Sequence, residues 1–536
     1  MFLRNIIMEI FPMSTGWTKT ILVILVSTLV LWINLRRRKK ISRRGEILVD
    51  RLSGPKALPI LGNALNLRVE NEDFMDLIGI LAHKWGGLFR VWYFNDPWVN
   101  IASADDCQKL YSSAKNLIEK SDEIEITKQS VGDGLYARVG SLYHERRKLL
   151  NPAYGLNLVR KGIPKINKHS AMLVKTFRQF AKSGENVNIY PVMTKSAIRL
   201  VWDSLFEKVY EEDASDVSDY ITAMFMSSYH HTTRIFKPWL RPNFIFNLTS
   251  KSKLASDGIQ FVNDFAKRSV DERRIYLQQK RAFSNRSNDK VLNPLEDEEN
   301  TKAANDWDCY LDYLLEQQDK GLIKEKDVLC EFSVFTIGGY ETTSIALTRA
   351  LYLLASHPEV QQKVVEELDE IFGKGYDAST FDITMTHVKS MKYLDLCVKE
   401  ALRLFPPIPM SPKKTTEDIQ LDDGRVIPAG VQLFVWMYWV HRDPKYFPDP
   451  EAFIPERFSQ DSDFYRERAT YAYIPFSVLP RSCIGQNYAV TTMKMILAYM
   501  IKAYEWTAVT PRDELKMTFQ YVSHPTNAIL KLKPRI

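Results

Sequence analysis

The sequence predicts one large, mainly helical domain with a small β portion, preceded by a single transmembrane helix. Three observations support this: helical periodicity dominates the second half, one short stretch alternates as strands do, and a long apolar run lies near the amino terminus. The 536 residues could hold several domains by length alone, but no clean linker divides the body. Hydrophobic residues make up 45% of the chain, which excludes a largely disordered protein.

The predicted anchor is the apolar segment 17–35, which carries a single charge, Lys19. As a helix it would be about 28 Å long, close to the thickness of a bilayer core. A basic cluster follows at 36–44, and bases beside a span mark its cytosolic side, so the body should lie in the cytosol. A cleaved signal peptide would instead carry its bases before the apolar run. The alternative is a buried amphipathic helix.

Charge and cysteine content exclude several classes of protein. Residues 1–44 carry a charge of +8 and the whole chain +7, so the rest carries −1. A near-neutral body gives no support for nucleic-acid binding, and no nucleic-acid partner is expected. The absence of a CxxC pair excludes a disulfide scaffold or zinc ribbon and fits a reducing compartment. The five cysteines are Cys107, Cys309, Cys330, Cys397 and Cys483.

Four segments of the body are predicted in chain order. Residues 45–63 form a stiff, proline-rich hinge, because proline fixes φ and glycine allows turns. Residues 284–306 are polar and acidic and predict a solvated loop. A capping box at 356–359 predicts a helix that ends at Gly373. Alternating apolar residues at 408–440 predict short strands.

One cysteine lies in a context that suggests chemistry. Cys483 follows Arg481 by two residues and precedes Gly485 by two, and a helical pattern begins after them. A thiolate needs nearby positive charge or a metal to remain ionised, and an arginine and a helix amino terminus supply positive charge. The alternative, taken alone, is a buried structural cysteine.

Three further motifs accompany this loop. Glu400 and Arg403 share a helix face at i, i+3 and can pair, although an isolated surface pair would contribute little to stability. A rigid segment, 455–458, supplies Arg457. The segment 338–343 places two glycines, an acid and two threonines in an apolar helix. Two glycines cost a helix about 1 kcal/mol each, which suggests that a large group approaches the backbone there.

Taken in this order, the motifs resemble those of the cytochrome P450 superfamily of haem-thiolate monooxygenases, from the anchor to the carboxyl end. Segments 391–404 and 441–444 look most like the family-4 branch, which includes fatty-acid ω-hydroxylases. The matching positions are Phe476, Arg481, Cys483 and Gly485 in the cysteine loop, Glu400 and Arg403, Pro455 to Phe458, and Gly339, Glu341 and Thr342.

The resemblance implies a role for each motif. Cys483 would be the axial ligand of the iron of haem b, and Glu341 and Thr342 would handle the protons consumed in oxygen activation. The alternative for Thr342 is a hydroxyl bonded back to its own helix. Arg147 lies on a basic helix face that would also help to dock a reductase, unless that face is simply solvated. Haem contacts are implied for Arg481, Arg147, Lys413, Tyr143, Phe476 and Gly485, and a structural triad for Glu400, Arg403 and Arg457.

The chain departs from the family pattern at four positions. Leu479 replaces the first glycine of the cysteine loop, where a positive φ would strain a leucine. Tyr143 replaces a tryptophan but can still donate a hydrogen bond. Lys413 replaces an arginine and loses its bidentate geometry. Gly338 replaces a glutamate that can esterify haem, so we expect no covalent link there and less certain ω-specificity.

These implications combine into one functional expectation. The chain would be a membrane-anchored monooxygenase of the endoplasmic reticulum, with an anchor at 1–44, a hinge at 45–63 and a haem-thiolate domain at 64–536. Electrons would come from NADPH through NADPH–cytochrome reductase, with cytochrome b5 as a second candidate donor, because the sequence shows no dinucleotide fingerprint. The substrate would be lipophilic, with pocket-lining loops at 110–135 and 225–250. The alternatives are an isomerase or dehydratase of the same fold and a haem-binding protein without turnover.

Overall fold

A computed structural model describes most of the chain from residue 41 onward. The described residues are 41–59, 61–67, 72–113, 119–210, 215–237, 240–287, 307–375, 382–467, 470–478, 480–520 and 522–535, together with Leu25 and Thr28. Helices dominate these residues and strands form a small part, so the predicted mainly helical architecture with a small β portion is confirmed.

The described residues form eighteen α-helices. Their bounds are α1 (Arg43–Asp50), α2 (Phe74–Trp85), α3 (Ala104–Ser113), α4 (Ile124–Val131), α5 (Gly140–Leu150), α6 (Leu156–Ser183), α7 (Ile189–Phe206), α8 (Ser215–Phe236), α9 (Asn243–Phe246), α10 (Ser250–Ser287), α11 (Tyr310–Asp319), α12 (Glu325–Ser356), α13 (Pro358–Phe372), α14 (Met385–Ser390), α15 (Lys392–Leu404), α16 (Met437–Val440), α17 (Asp463–Glu467) and α18 (Gln486–Ala503).

The strands form four small sheets. A mixed sheet has the order β1-β2-β7-β4, a second sheet has the order β3-β11-β8, and β5-β6 and β9-β10 are antiparallel pairs. Their bounds are β1 (Leu88–Tyr93), β2 (Asp96–Ile101), β3 (Val187–Asn188), β4 (Ser411–Lys414), β5 (Ile419–Gln420), β6 (Val426–Ile427), β7 (Gln432–Val435), β8 (Tyr504–Ala508), β9 (Met517–Phe519), β10 (Ser523–Pro525) and β11 (Ile529–Pro534).

The helix α12 runs through the core and carries the predicted glycine pair. It packs most extensively along α7. A Cβ added at Gly339 would lie 2.9 Å from Cγ2 of Val201 on α7, so this glycine allows the two helices to approach closely. A Cβ at Gly338 would meet no atom within 4 Å. Of the two glycines, therefore, one serves helix packing and the other faces open space.

Three local predictions need correction. Ser356 forms no capping box: its hydroxyl donates to the Tyr352 carbonyl (2.8 Å) and closes α12, while α13 begins at Pro358 after His357. The predicted end of α13 at Gly373 (φ +90°) is confirmed. Residues 437–440 form the helical turn α16, not a strand, after the strands β4 to β7. Residues 284–287 continue α10, and the rest of the predicted loop lies outside the described residues.

The amino-terminal predictions fall on both sides of the described boundary. The apolar segment 17–35 lies outside the described residues except for Leu25 and Thr28. None of the helices among the described residues is both long and apolar enough to cross a bilayer. Inside the predicted hinge, Asn63 is fully buried and is hydrogen-bonded to Trp92 of β1. The Trp92 backbone amide donates to Asn63 Oδ1 (2.9 Å), and the Asn63 backbone amide donates to the Trp92 carbonyl (2.5 Å).

Candidate active site

The cysteine loop leads into the amino terminus of α18. Gly485 directly precedes the helix, so Cys483 lies near the positive end of the helix dipole. The Cys483 amide donates to the Phe476 carbonyl (2.9 Å) and closes the loop. Ser477 has φ +59°, a left-handed conformation that costs a residue with a side chain about 1 kcal/mol. The surrounding contacts therefore impose the loop geometry. Leu479 lies outside the described residues.

Cys483 differs from the other four cysteines in its exposure. Those four are buried, whereas the Cys483 side chain is accessible to solvent. Burial by the surrounding protein nevertheless raises the pKa of this thiol, while the Gly485 amide and the Arg147 charge lower it. The sulfur is thus accessible to solvent although protein atoms surround much of it. A thiolate there needs further positive charge, which a bound metal ion supplies.

A cluster of cations lies close to this loop: Lys413 is buried, and Lys120 and Arg481 are partly buried. Burial and the neighbouring Arg481 charge lower the pKa of Lys413 to about 7. Burial, then Lys413 and Arg481, also lowers the pKa of Lys120 well below its ordinary value. Neither ammonium has a carboxylate partner among the described residues. A positive cluster of this kind is a site for an anion, and the two propionates of haem fit it.

Helix α5 is fastened to the cysteine loop by two of the predicted residues. The Tyr143 hydroxyl donates to the Pro480 carbonyl (2.8 Å), and Arg147 Nη1 donates to the Ser482 carbonyl (2.7 Å). The Arg481 guanidinium lies 3.6 Å from the centre of the Tyr143 ring. The structure thus brings Tyr143, Arg147 and Arg481 together around the loop that carries Cys483.

The predicted Glu400 triad is fully buried. Arg403 donates two hydrogen bonds to Glu400, at 2.7 and 2.8 Å, and both side chains have no exposed surface. Arg457 lies at ion-pair distance, 3.5 Å, from the same carboxylate, without forming a hydrogen bond to it. Arg403 also donates to the carbonyls of His441, Pro450 and Ala452. Through these carbonyls, the triad positions the segment of chain that precedes the cysteine loop.

His441 connects this triad to the cysteine loop. Its carbonyl accepts from Arg403 (3.1 Å), and its ring Nε2 accepts from the Ile474 amide (2.8 Å) at the start of the loop. Burial, together with the charges of Arg403 and Arg442, lowers the pKa of His441 to about 3. The ring is therefore neutral at physiological pH, as an acceptor must be. Sequence reasoning used His441 only as a family marker and missed this role.

The predicted catalytic pair lies on α12 beside the open space at Gly338. Burial raises the pKa of the Glu341 carboxyl to about 7. The Thr342 hydroxyl donates to the Gly338 carbonyl (2.7 Å), which is the helix-bonded arrangement considered as the alternative for this residue. Its oxygen can still accept a proton or a hydrogen bond. Among the described residues, no hydrogen bond or ion pair joins this pair to the cysteine loop.

Glu341 has a partner that the sequence did not reveal. His524 Nε2 lies 3.4 Å from Glu341 Oε1, and the other ring nitrogen lies 2.7 Å from the Tyr190 hydroxyl. The 3.4 Å approach does not meet hydrogen-bond geometry, and burial lowers the pKa of His524 to about 4. The approach of His524 to Glu341 is therefore a contact between a neutral ring and a carboxyl group. No motif marks His524, because the contact depends on how β10 packs against α12.

A narrow cleft lies beside the mixed sheet that contains β1. Residues of β2, β4 and β7 in this sheet line it, together with residues of α2, α8 and β9. It offers about 20 Å³ of space to water-sized molecules. Lys120 and Lys413 of the cation cluster directly adjoin two of its wall residues, Ser121 and Pro412. Ser121 lies in the predicted pocket loop 110–135, whereas Thr232, in the predicted loop 225–250, lies on the helix α8, so the prediction of a loop is wrong there. Sequence reasoning missed the other walls, which are mainly aromatic: Phe74, Phe434, Trp436 and Phe519.

The remaining predicted haem contacts, Phe476 and Gly485, lie in the cysteine loop. Phe476 is partly buried against the main core, and a Cβ added at Gly485 would meet no atom within 4 Å. The accessible thiol, the open side of Gly485 and the ammonium groups of Lys120 and Lys413, which have no carboxylate partner among the described residues, together fit a large, flat, dianionic group. The sequence analysis did not identify Lys120, although this lysine directly precedes Ser121, one of the residues that line the cleft.

Comparisons with known proteins agree with this geometry. The family model Cytochrome P450 matches residues 52–532. Cytochrome P450 4c3 of Drosophila melanogaster is 30% identical over 493 residues, 91% of this chain and 90% of its own length. Cytochrome P450 4d2 of the same organism is 30% identical over 97% of this chain and 99% of its own length. Human Cytochrome P450 4V2 is 30% identical over 90% of this chain and 89% of its own length. The predicted family and its family-4-like branch are thereby confirmed.

Proposed function

Because the chain belongs to the cytochrome P450 family, we propose that it is a membrane-anchored monooxygenase that oxidises a lipophilic substrate. Haem-thiolate monooxygenase chemistry follows from the family itself; the anchor, the substrate class and the source of electrons are the parts proposed here. The observation that carries the proposal is the accessible Cys483 thiol close to Lys120 and Lys413, whose ammonium groups have no carboxylate partner among the described residues.

Each part of the candidate site would have a distinct task. Cys483 would bind the iron, and Lys413, Lys120 and Arg481 would neutralise the propionates. Bound haem would supply the activation of O2, which amino acid side chains alone do not provide. The Glu341 carboxyl holds a proton near neutral pH and would deliver it beside Gly338. The apolar cleft would bind the substrate and exclude water.

Membrane attachment and electron supply complete the proposal. The segment 17–35 would anchor the chain in the endoplasmic reticulum, and NADPH–cytochrome reductase or cytochrome b5 would supply electrons at the basic face of α5. Alkaline carbonate extraction of membranes tests the anchor: the intact chain should remain in the membrane fraction. A Leu25→Arg variant should be released, because a charge near the centre of a span costs about 3 kcal/mol. Extraction of the intact chain would contradict the anchor.

The reduced, carbon monoxide-bound absorption spectrum tests the enzyme itself. An intact thiolate ligand predicts a Soret band shifted far to the red, and NADPH consumption with added reductase should yield a product one oxygen heavier by mass spectrometry. A red-shifted band without turnover would favour a haem-binding protein that has lost activity. Turnover without oxygen insertion would favour an isomerase or dehydratase.

Adjacent lysines provide a matched test of the propionate site. Lys413 is buried in the cation cluster, whereas Lys414 pairs with Asp122 near the surface (2.6 Å). Lys413→Met should speed the transfer of haem to an acceptor apoprotein by about tenfold, because it removes a buried charge from the bound anion. Lys414→Met should leave the rate unchanged. Equal rates in both variants would contradict the assignment of the cluster to haem.

A further inference from the structure

His524 is a buried residue whose ring faces the Glu341 carboxyl without a hydrogen bond. It is 6% exposed, and its Nε2 has no hydrogen-bond partner in the described part of the chain. Nε2 lies 3.4 Å from Glu341 Oε1, and no other described residue offers this carboxyl a hydrogen bond or an ion pair. A buried polar atom without a partner is unusual in a folded protein. An unpaired nitrogen beside an unpaired carboxyl therefore requires a functional explanation.

The tautomer of the His524 ring follows from its other nitrogen. Nδ1 lies 2.7 Å from the Tyr190 hydroxyl. Burial, followed by the Glu341 charge, raises the pKa of Tyr190, so this hydroxyl keeps its proton at neutral pH and can donate to Nδ1. A ring nitrogen that accepts carries no hydrogen, so the hydrogen of the neutral ring lies on Nε2. The ring therefore presents an N–H donor to Glu341.

The donor on His524 is neutral, which suits a carboxyl group that must hold a proton. Burial lowers the pKa of His524 to about 4, so the ring carries no charge at physiological pH. A cationic partner would favour the ionised form of Glu341 and prevent it from storing a proton near neutral pH. A neutral N–H leaves the carboxyl able to be protonated and still stabilises the carboxylate once it forms.

The other ionisable groups near Glu341 do not carry a charge that could replace this donor. Burial, followed by the Glu341 charge, raises the pKa of Tyr340 well above its ordinary value, as it does at Tyr190. Both hydroxyls are therefore neutral at physiological pH. Arg349 opposes the increase at Tyr190, but burial alone is the cause of the raised pKa of Glu341. His524 is thus the group in contact with Glu341 that can stabilise its carboxylate.

The 3.4 Å separation fits a contact that closes when Glu341 ionises. Charge-assisted N–H···O bonds measure about 2.7–2.9 Å, so the two atoms need to approach by only about 0.5 Å. His524 lies on β10, where the Tyr190 hydroxyl and an edge contact with the Phe225 ring of α8 (centroids 5.9 Å) hold it. The Glu341 side chain has several rotatable bonds and lies beside the open space at Gly338. The carboxylate is therefore the group that moves.

We infer that His524 is a positioning residue for proton delivery: Tyr190 orients its ring, and its Nε2–H binds the Glu341 carboxylate that remains once the proton has left. The inference deepens the proposed function and rests on it for the destination of that proton. The O–H bond of Glu341 breaks, its electron pair stays on the carboxylate, and the N–H of His524 stabilises this charge.

Infrared difference spectroscopy of the full-length, haem-loaded protein tests this role without depending on turnover. The C=O band of the protonated Glu341 carboxyl is identified by its loss in Glu341→Gln, which separates it from that of Glu331, whose pKa burial also raises to about 7. In His524→Leu the pH midpoint of this band should rise by about 1 pH unit, a tenfold weaker acid, because the carboxylate loses its donor. An unchanged or lower midpoint would overturn the inference.

His524→Gln separates positioning from a purely structural role of the ring. The glutamine amide can place an N–H close to the position of Nε2, so the midpoint should return close to that of the parent protein. The pH profile of turnover should change in parallel: its fall at high pH should shift upward in His524→Leu and return in His524→Gln. If the two variants had the same midpoint, the N–H would not be the feature that matters, and the inference would be wrong.

Tyr190→Phe tests the orientation of the ring. Without the hydroxyl both tautomers of His524 become accessible, so the midpoint of Glu341 should rise by about 0.5 pH unit, roughly threefold. Tyr504→Phe is the matched control, because the Tyr504 hydroxyl donates to the Val174 carbonyl (2.7 Å) and not to His524. It should leave the midpoint unchanged. An equal shift in both variants would mean a general loosening of the core and would reject the role of Tyr190.

The carbon monoxide spectrum of the same preparations separates this inference from the proposed function. A red-shifted Soret band together with an unchanged midpoint in His524→Leu rejects only the role of His524. A raised midpoint in His524→Leu without that band in the parent protein rejects only the proposed oxidative function.

Discussion

The chain that leads to the cysteine loop is held by hydrogen bonds from a buried triad, whereas several buried polar atoms of the cleft residues have no hydrogen-bond partner in the described part of the chain. The Glu400 carboxylate and the Arg403 guanidinium use their hydrogen bonds within the protein, and His441 passes this order on to the loop. In the cleft, Glu123 and Ser121 each leave an atom unpaired. The difference indicates that hydrogen bonds within the protein fix the loop side, while the packing of apolar side chains forms most of the cleft.

The largest predicted effect is at the cysteine loop. Cys483→Ser should abolish the red-shifted carbon monoxide band and reduce oxygen insertion to background, because a serine hydroxyl does not replace the thiolate ligand. The fold should remain, since this side chain is accessible and does not fill the core. Circular dichroism and the carbon monoxide spectrum measure the two outcomes. Cys107→Ser, at a buried cysteine, should show the reverse: lower stability and an unchanged band position.

The sequence predicted the two regions unequally, for a physical reason. Glu400, Arg403 and Cys483 lie in short motifs, because neighbouring residues hold a rigid local geometry. Ser121 and Gln520 meet only after distant segments fold together, so no local spacing marks them. The helix bounds show the same limit: Ser356 satisfied the capping pattern but bonds to Tyr352 in the preceding helix. Local patterns predicted the elements, and tertiary packing decided their ends and the cleft.

The buried triad should show the next largest effect. Glu400→Gln leaves Arg403 and Arg457 without their counter-charge in the core and should lower the free energy of unfolding by about 3–5 kcal/mol. Urea denaturation measures the loss. The control is Glu316→Gln, which breaks an exposed i, i+4 pair with Lys320 and should cost at most about 1 kcal/mol. Equal losses in the two variants would contradict a structural role for the triad.

The raised pKa of Glu341 predicts a pH dependence of turnover. With its pKa raised to about 7, the carboxyl is protonated below this pH and loses its proton above it. If it donates a proton, turnover should fall as pH rises through about 7, and Glu341→Gln should lower turnover about 100-fold and flatten the profile. The same shift predicts that the stability due to the neutral carboxyl is lost as pH rises through this value.

Glu331 is the matched control for this profile. Burial also raises its pKa to about 7, but its carboxylate accepts from the Leu135 amide and Arg146. Glu331→Gln should therefore lower stability and leave the pH profile of turnover in place. If the pH profile of turnover survived in Glu341→Gln but disappeared in Glu331→Gln, the proton donor would be Glu331 and not Glu341.

The smallest effects should come from the neighbouring glycines of α12, and they should differ in sign. Gly339→Ala would place a Cβ 2.9 Å from the stiff Val201 side chain and should lower the free energy of unfolding by about 1–3 kcal/mol. Gly338→Ala meets no protein atom and should raise it by about 1 kcal/mol through helix propensity. If the space beside Gly338 serves the reaction, the second variant should be more stable yet turn over more slowly. If turnover were unchanged in the stabilised Gly338→Ala variant, the space beside Gly338 would not serve the reaction.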